Sequence, residues 1–283
     1  MNRIVTPPKL PDRPEEGHKG LFGRVLIIGG SDSMIGAPVL AGTAALKMGA
    51  GLVQIAMPKT VLAAALSITP ELIGVPLAGS SAAALRAAVE AADAIVLGPG
   101  IGTSPAAKSI VLKLIQTAKP MLVDADALNI LAMQKNWPRG FKASAILTPH
   151  PGEMKRLAKH LKRKDVPTDD DGRIEMAVLA SKTFRQVIVL KGHRTVVTDG
   201  QRLYVNRTGD SSLSKAGTGD VLSGMIGTML AQKMDRFDAA CAATWIHGRA
   251  GTIAGGRLGR RSVLASDVIE VVPEAIRQYE REF

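Results

Sequence analysis

Five short apolar runs recur along the chain, and each stops abruptly at a polar or glycine-rich segment. Val25 to Ile28 runs into "GGSDSMIGAP", and the strands in "DAIVLGPGIG", "PMLVDADAL", "SAILTPHPGEM" and "QVIVLKGH" run into "GPGIG", "DADAL", "TPHPGE" and "KGHRT". Runs this short and this apolar read as strands buried on both faces. Helical patterns separate them. Pro38 to Met48 reads as a helix, with Pro in its first turn and Gly49 past its end. "SSAAALRAAVEAA" is a second, and "SPAAKSIVLKLIQTA" a third, capped by Ser104 with Pro105 at its start. "GLVQIAMP" adds a strand. Thr195 to Thr198 and Arg202 to Val205, joined by "DGQ", read as a hairpin. Beyond it the pattern is mostly helical. Such alternation predicts an α/β fold with a central, mostly parallel sheet and helices on both faces.

The 283 residues suit one large α/β domain, with residues 1–20, rich in Pro and charge, as an extended arm and residues 21–283 as a single domain. "HLKRKDVPTDDDGR", Lys162 to Arg173 especially, reads as a surface loop. Hydrophobic residues make up 46% and aromatics only 3%, so Ala, Val, Leu, Ile and Met must build the core. The formal charge of +11 favours anionic partners or simply keeps the chain soluble. Scarce aromatics argue against a single-strand nucleic-acid binder. Cys241 is the one cysteine; it reads as a small core hydrophobe in a reducing compartment. No apolar run fits a signal peptide or a membrane span, which points to the cytoplasm.

If the strands are parallel, all five loops fall on one edge of the sheet, where open α/β sheets bind ligands. "GPGIG" is not a dinucleotide fingerprint: Gly102 comes one residue early and Thr103 holds the required position. No Gly-x-x-x-x-Gly-Lys-Ser/Thr is present. "SKAGTGDVLSG" differs from both. Gly217, Thr218 and Gly219 stand before a helix reading roughly Val221 to Ala231, where free amides and the helix dipole favour an anion. Asp220 falls in the first turn. A carboxylate there either takes the proton of a hydroxyl attacking a phosphoryl group or merely caps the helix.

"AGTGD" before a late helix resembles the catalytic signature of the ribokinase-like superfamily. Together with "GRVLIIGGSDSMIGAPVLAGTAALKMGAGLVQIA", "GPGIG", "VDADAL", "LTPHPGEM", "VIVLKG" and "NRTGDSSLSKAGTGDVLSGMIGTMLAQ", the chain resembles the ADP/ATP-dependent NAD(P)H-hydrate dehydratases, in order from about residue 20 to "LASDVIEVVPEAI". The resemblance implies a lyase of metabolite repair. It phosphorylates the ring hydroxyl of NADHX or NADPHX, the hydrated cofactors, and phosphate then leaves to restore NADH or NADPH. Asp220 matches the base, and Gly217 to Gly219 the anion hole. Ala37, Gly102, His150 and Asp220 match hydrate contacts. Lys191, Gly192, His193, Arg194 and Thr195, with Gly217, Thr218 and Gly219, match the nucleotide site. Asp124 and Glu153 fall near the site by motif position, through magnesium or ordered water. No metal ligands are assigned, although Mg2+ is implied with ADP or ATP as donor; stand-alone members mostly use ADP. His150 also fits a role bracing its turn, and His247 reads as structural.

Two positions depart from the family pattern: Met34 replaces a nearby aromatic, and Asp210 stands where Asn is frequent. An acid at 210 adds repulsion near phosphates unless a cation offsets it. The resemblance further implies a homo-oligomer, commonly a tetramer, and an NAD(P)HX epimerase as functional partner. About twenty residues precede the first strand, so a fused epimerase domain is expected to be absent. The alternative reading is a small-molecule kinase of the same fold, acting on a vitamin precursor or sugar.

Overall fold

The computed structural model describes residues 1–77 and 82–283. Ten strands form one sheet: β1 (Asn2–Ile4), β2 (Arg24–Ile28), β3 (Leu52–Pro58), β4 (Ile73–Leu77), β5 (Ala94–Leu97), β6 (Met121–Val123), β7 (Ala145–Leu147), β8 (Val187–Leu190), β9 (Val196–Thr198) and β10 (Arg202–Val205). Their spatial order is β1-β10-β9-β8-β7-β6-β5-β2-β3-β4. From β8 to β4 every pairing is parallel; β9 runs antiparallel between β8 and β10, as the predicted hairpin requires.

The all-apolar strands follow from burial on both faces. In β2, Val25 and Ile27 belong to one core, and Leu26 and Ile28 to the other. Eleven α-helices are described: α1 (Gly36–Lys47), α2 (Lys59–Ile68), α3 (Ala82–Ala91), α4 (Pro105–Leu114), α5 (Ala125–Met133), α6 (Trp137–Gly140), α7 (Pro151–Leu157), α8 (Asp170–Phe184), α9 (Thr218–Ala231), α10 (Arg236–Leu258) and α11 (Ala265–Glu282). Core residues of α1, α9, α10 and α11 fill one side, and those of α4, α5, α7 and α8 fill the other. Ser104 caps α4 as expected, its Oγ accepting from the Ala107 amide at 3.2 Å. The serines at 80 and 81, at the start of the predicted second helix, lie outside the described residues.

The structure departs from the sequence reading in three places. Residues 59–77 form α2 and β4, which the pattern passed over; β4 is an edge strand, the position where Pro76 is tolerated. The N-terminal arm supplies β1, which pairs with β10. The polar stretch ending at Arg173 is not all loop: Asp169 caps α8 by accepting the Gly172 amide at 2.8 Å.

From β2 the chain winds outward through β3 and β4, then crosses to β5 on the other side of β2. The loops after β2 and β5 therefore diverge at a topological switch point, where such sheets open a crevice.

Candidate active site

Helix α9 begins at a left-handed Gly217 (φ 88°), and a Cβ there would press to 2.8 Å from Leu40. The turn is braced on both sides. Thr218 Oγ1 reaches the carbonyls of Leu213 at 2.8 Å and Lys215 at 2.9 Å. His247 Nε2 lies 2.9 Å from the Thr218 carbonyl. Burial holds the His247 ring neutral, its pKa lowered to about 4, so Nε2 carries the hydrogen and donates. His247, read from the sequence as structural, thus braces the turn, and its ring also lines the cleft described below. The amides at the start of α9 have no carbonyl one turn back, leaving donors free for an anion.

Asp220, the third residue of α9, is mostly buried, and its carboxylate makes no hydrogen bond among the described residues. Burial, and next the charge of Asp124, lift its pKa to about 7; Lys191 opposes them. A carboxylate so placed alternates between protonated and ionised forms near neutral pH.

One turn further on, Ser223 Oγ donates to Asp124 Oδ2 at 2.7 Å, while Lys191 Nζ donates to Asp124 Oδ1 at 2.7 Å. Asp124 is 1% exposed. Burial works against the Lys191 charge, but Asp124, Glu153 and Asp220 outweigh it and raise its pKa. Glu153 stands 3.8 Å from Lys191 Nζ and accepts the His150 amide at 2.7 Å. Burial lifts Glu153 to about 7 despite Lys191. His150 caps α7, its Nδ1 accepting from Gly152 at 3.0 Å. Burial and Lys191 lower its pKa, so the 3.4 Å contact of Nε2 with Glu153 is not an ion pair at neutral pH. Half its side chain stays exposed at the mouth of the cleft.

A cleft of about 480 Å³ opens beside this network, between the loop after β8, the segment from Asn206 to Lys215, and α10. Lys191, Gly192, His193, Arg194, Thr195, Thr218 and Gly219 all line it. Ala37 and Gly102 do not. They lie at the switch point, where a Cβ on Gly100 would sit 3.1 Å from the Ala37 Cβ. Gly102 is left-handed (φ 72°), its amide donates to Asp126 Oδ2 at 2.9 Å, and a Cβ there would meet only open space. Asp126 also contributes to the raised pKa of Asp220. The predicted residues thus fall into two neighbouring sites, with the Asp220 carboxylate within electrostatic reach of both.

Several side chains of this network and cleft escaped the sequence reading. Ser223 is one, hidden in an apolar helix. Arg173 is another: it is buried behind the loop after β8. Thr208 and Asn206 form a bonded pair at the cleft wall, 3.1 Å apart. The acid at 210 already has its cation, Arg260 Nε at 3.1 Å, and Asp210 also accepts the Ser212 amide at 2.9 Å. Against the effect of burial, these bonds hold its carboxyl below the usual range. Among the described residues no group of three or more His, Cys, Asp or Glu is arranged to hold a metal, and none of the helices is long and apolar enough to cross a membrane.

Known proteins resemble this chain in sequence and fold. The family described as NAD(P)H-hydrate dehydratase matches residues 25–274. The bifunctional NAD(P)H-hydrate repair enzyme Nnr of Moorella thermoacetica is 39% identical over 97% of this chain and 53% of its own length. The chain thus spans about half the length of such curated relatives. The ADP-dependent (S)-NAD(P)H-hydrate dehydratase of Neisseria meningitidis is 39% identical over 85% of this chain and 80% of its own. The ADP/ATP-dependent NAD(P)H-hydrate dehydratase of Bacillus subtilis, co-crystallized with ATP/Mg2+, superposes with a TM-score of 0.81 at 30% identity, covering 96% of this chain and 95% of that one. With a family model matching most of the chain and these relatives in agreement, the chain belongs to the NAD(P)H-hydrate dehydratase family.

Proposed function

We propose that the protein dehydrates NADHX and NADPHX to NADH and NADPH at the expense of a nucleotide. The observation that carries this reading is the mostly buried Asp220 carboxylate in the first turn of α9, directly after Thr218 and Gly219 of the cleft wall, with burial raising its pKa to about 7. The hydrate lies against Ala37, Gly102 and His150, and the nucleotide against Lys191 to Thr195. Asp220 takes the proton of the ring hydroxyl as its oxygen bonds to the terminal phosphorus and the nucleotide leaves. The amides of Gly217 to Gly219 hold the phosphoryl oxygens. The ring nitrogen then expels phosphate, and loss of a proton from the neighbouring carbon restores the ring double bond.

Asp124 and Glu153 are taken up by Lys191, Ser223 and the His150 amide, so they do not form a free ligand pair. Mg2+ in this reading arrives with the nucleotide phosphates, and no step is assigned to it. ADP is the favoured donor, in keeping with the name of the Neisseria relative. The reading extends to residues 21–283 working as one domain, a cytoplasmic homo-tetramer, and an NAD(P)HX epimerase as functional partner, in keeping with the curated relatives being named bifunctional repair enzymes.

The test is the return of reduced-nicotinamide absorbance on adding protein to NADH hydrate with ADP or ATP, alongside phosphate release. No return with either nucleotide sinks the reading. Phosphoryl transfer without free phosphate favours the small-molecule kinase instead.

A further inference from the structure

The loop after β8 is held from behind by a single guanidinium. Arg173, in the first turn of α8, is 7% exposed although it carries a full charge. One of its terminal nitrogens donates to the Leu190 carbonyl at 3.4 Å, at the end of β8. The other donates to the His193 carbonyl and, at 3.5 Å, to that of Arg194. One planar group therefore spans both ends of the bend that carries Lys191, and these are its only hydrogen bonds among the described residues.

The bend needs such a brace. Gly192 (φ 144°) and Arg194 (φ 54°) both occupy the left-handed region, which is unfavourable for a residue with a side chain such as Arg194. A Cβ at Gly192 would come within 2.9 Å of the Arg173 guanidinium, so loop and side chain are in direct contact. Asp170, on the same turn of α8, ties the outside of the bend, 2.6 Å from Arg194 and 3.9 Å from Arg173. A lysine could not replace this brace, because an ammonium on a flexible stem cannot present donors in a fixed fork.

We infer that Arg173 is a positioning residue for the nucleotide: it sets the Lys191–Thr195 loop in its binding shape without touching the ligand. This rests on the reading of the cleft as the nucleotide site. It places a determinant of nucleotide affinity on α8, outside every glycine motif of the chain.

The test compares wild type with Arg173→Lys in the full chain. ADP affinity is measured by calorimetry, KM is determined separately for nucleotide and hydrate, and amide exchange is followed at residues 191–195. Expected are a rise of about tenfold or more in the ADP Kd and nucleotide KM, a hydrate KM within twofold of wild type, and faster exchange confined to the loop. Asp170→Asn, an exposed change, gives a smaller rise with an unaltered melting temperature, and serves if Arg173→Lys does not fold. Unchanged ADP affinity, or an equal rise in both KM values, overturns the inference. If wild type binds neither ADP nor ATP, the nucleotide reading falls instead, and unaltered loop exchange in the variant would overturn the brace as well.

Discussion

Lys191 Nζ and Asp124 Oδ1 meet at 2.7 Å, and the other oxygen of Asp124 takes the Ser223 hydroxyl at the same distance. The pair ties the ends of β6 and β8 to the first turns of α9. Asp220 sits three residues before Ser223 and feels both charges without bonding to either. This arrangement leaves a mostly buried carboxyl with no hydrogen bond among the described residues, as the proposed base requires.

Asp220→Asn removes the base and little else. Turnover should fall by about 10²–10⁴-fold, the range expected for a positioned general base. ADP affinity should stay within a few-fold, because the amides of the α9 turn remain. Steady-state kinetics and calorimetry on the same preparation check both. Unchanged turnover would remove the assignment.

The pH dependence follows from the raised carboxyls. Activity should climb as pH rises through about 7, because the base works only when ionised. Glu153 is raised to about the same value beside the same Lys191, so the acid limb belongs to the carboxylate set rather than to one group. Stability should run the other way. Between the ordinary carboxyl range and about 7 the folded state holds more protons than the unfolded one, so stability is fully present at low pH and is lost as pH rises to about 7. Asp220→Asn should therefore melt higher than wild type at pH 8, with little difference at pH 4. Thermal melts across that range test the sign.

Asp124→Asn discharges the partner of Lys191. Removing one member of a buried pair costs about 3 kcal/mol, moderated here because Glu153 still faces the lysine. The acid limb should move below about 7, since Asp124 is the largest charge raising Asp220. Denaturant unfolding and the pH–rate profile give two separate readouts.

Arg260 masks Asp210 at the cleft. Arg260→Gln should weaken ADP binding about three- to tenfold at low ionic strength, and less as salt screens the unmasked, partly buried acid. Adding Asp210→Asn should restore affinity, because Asn can still accept the Ser212 amide. A double-mutant cycle measured at two salt concentrations decides it.

Gly224→Ala tests how closely α9 meets α1. The added Cβ would lie 1.9 Å from the Ala41 carbonyl oxygen, so the helices must separate, at about 3 kcal/mol. Gly256→Ala, exposed in α10 with nothing within 4 Å, should instead stabilise by about 0.5–1 kcal/mol. Chemical denaturation of both variants makes the comparison.

Much of this molecule is legible residue by residue. The buried strands, the hairpin and the Ser104 cap rest on neighbours in sequence, and the glycine loops mark the functional edge. The misses have physical causes. Strand β4 carries Pro76 and reads poorly as a strand until the edge position is known. Strand β1 has three residues and exists because β10, two hundred residues later, offers a free edge. Arg173 looks like part of a charged surface because the carbonyls that bury it arrive from a different strand.

The sequence by itself determined where eight of the ten described strands lie, that the loops after the parallel ones share one edge, and that Asp220 stands in the first turn of a helix after Gly217. Those are local matters of periodicity, backbone conformation and free amides. Only the tertiary structure decided that Asp124 meets Lys191, 67 residues away, and Ser223, 99 residues away, and that Arg173 reaches the carbonyls of the loop after β8. The proton affinity of Asp220 is of this second kind: it comes from burial and from charges brought in by other strands, which no local pattern carries.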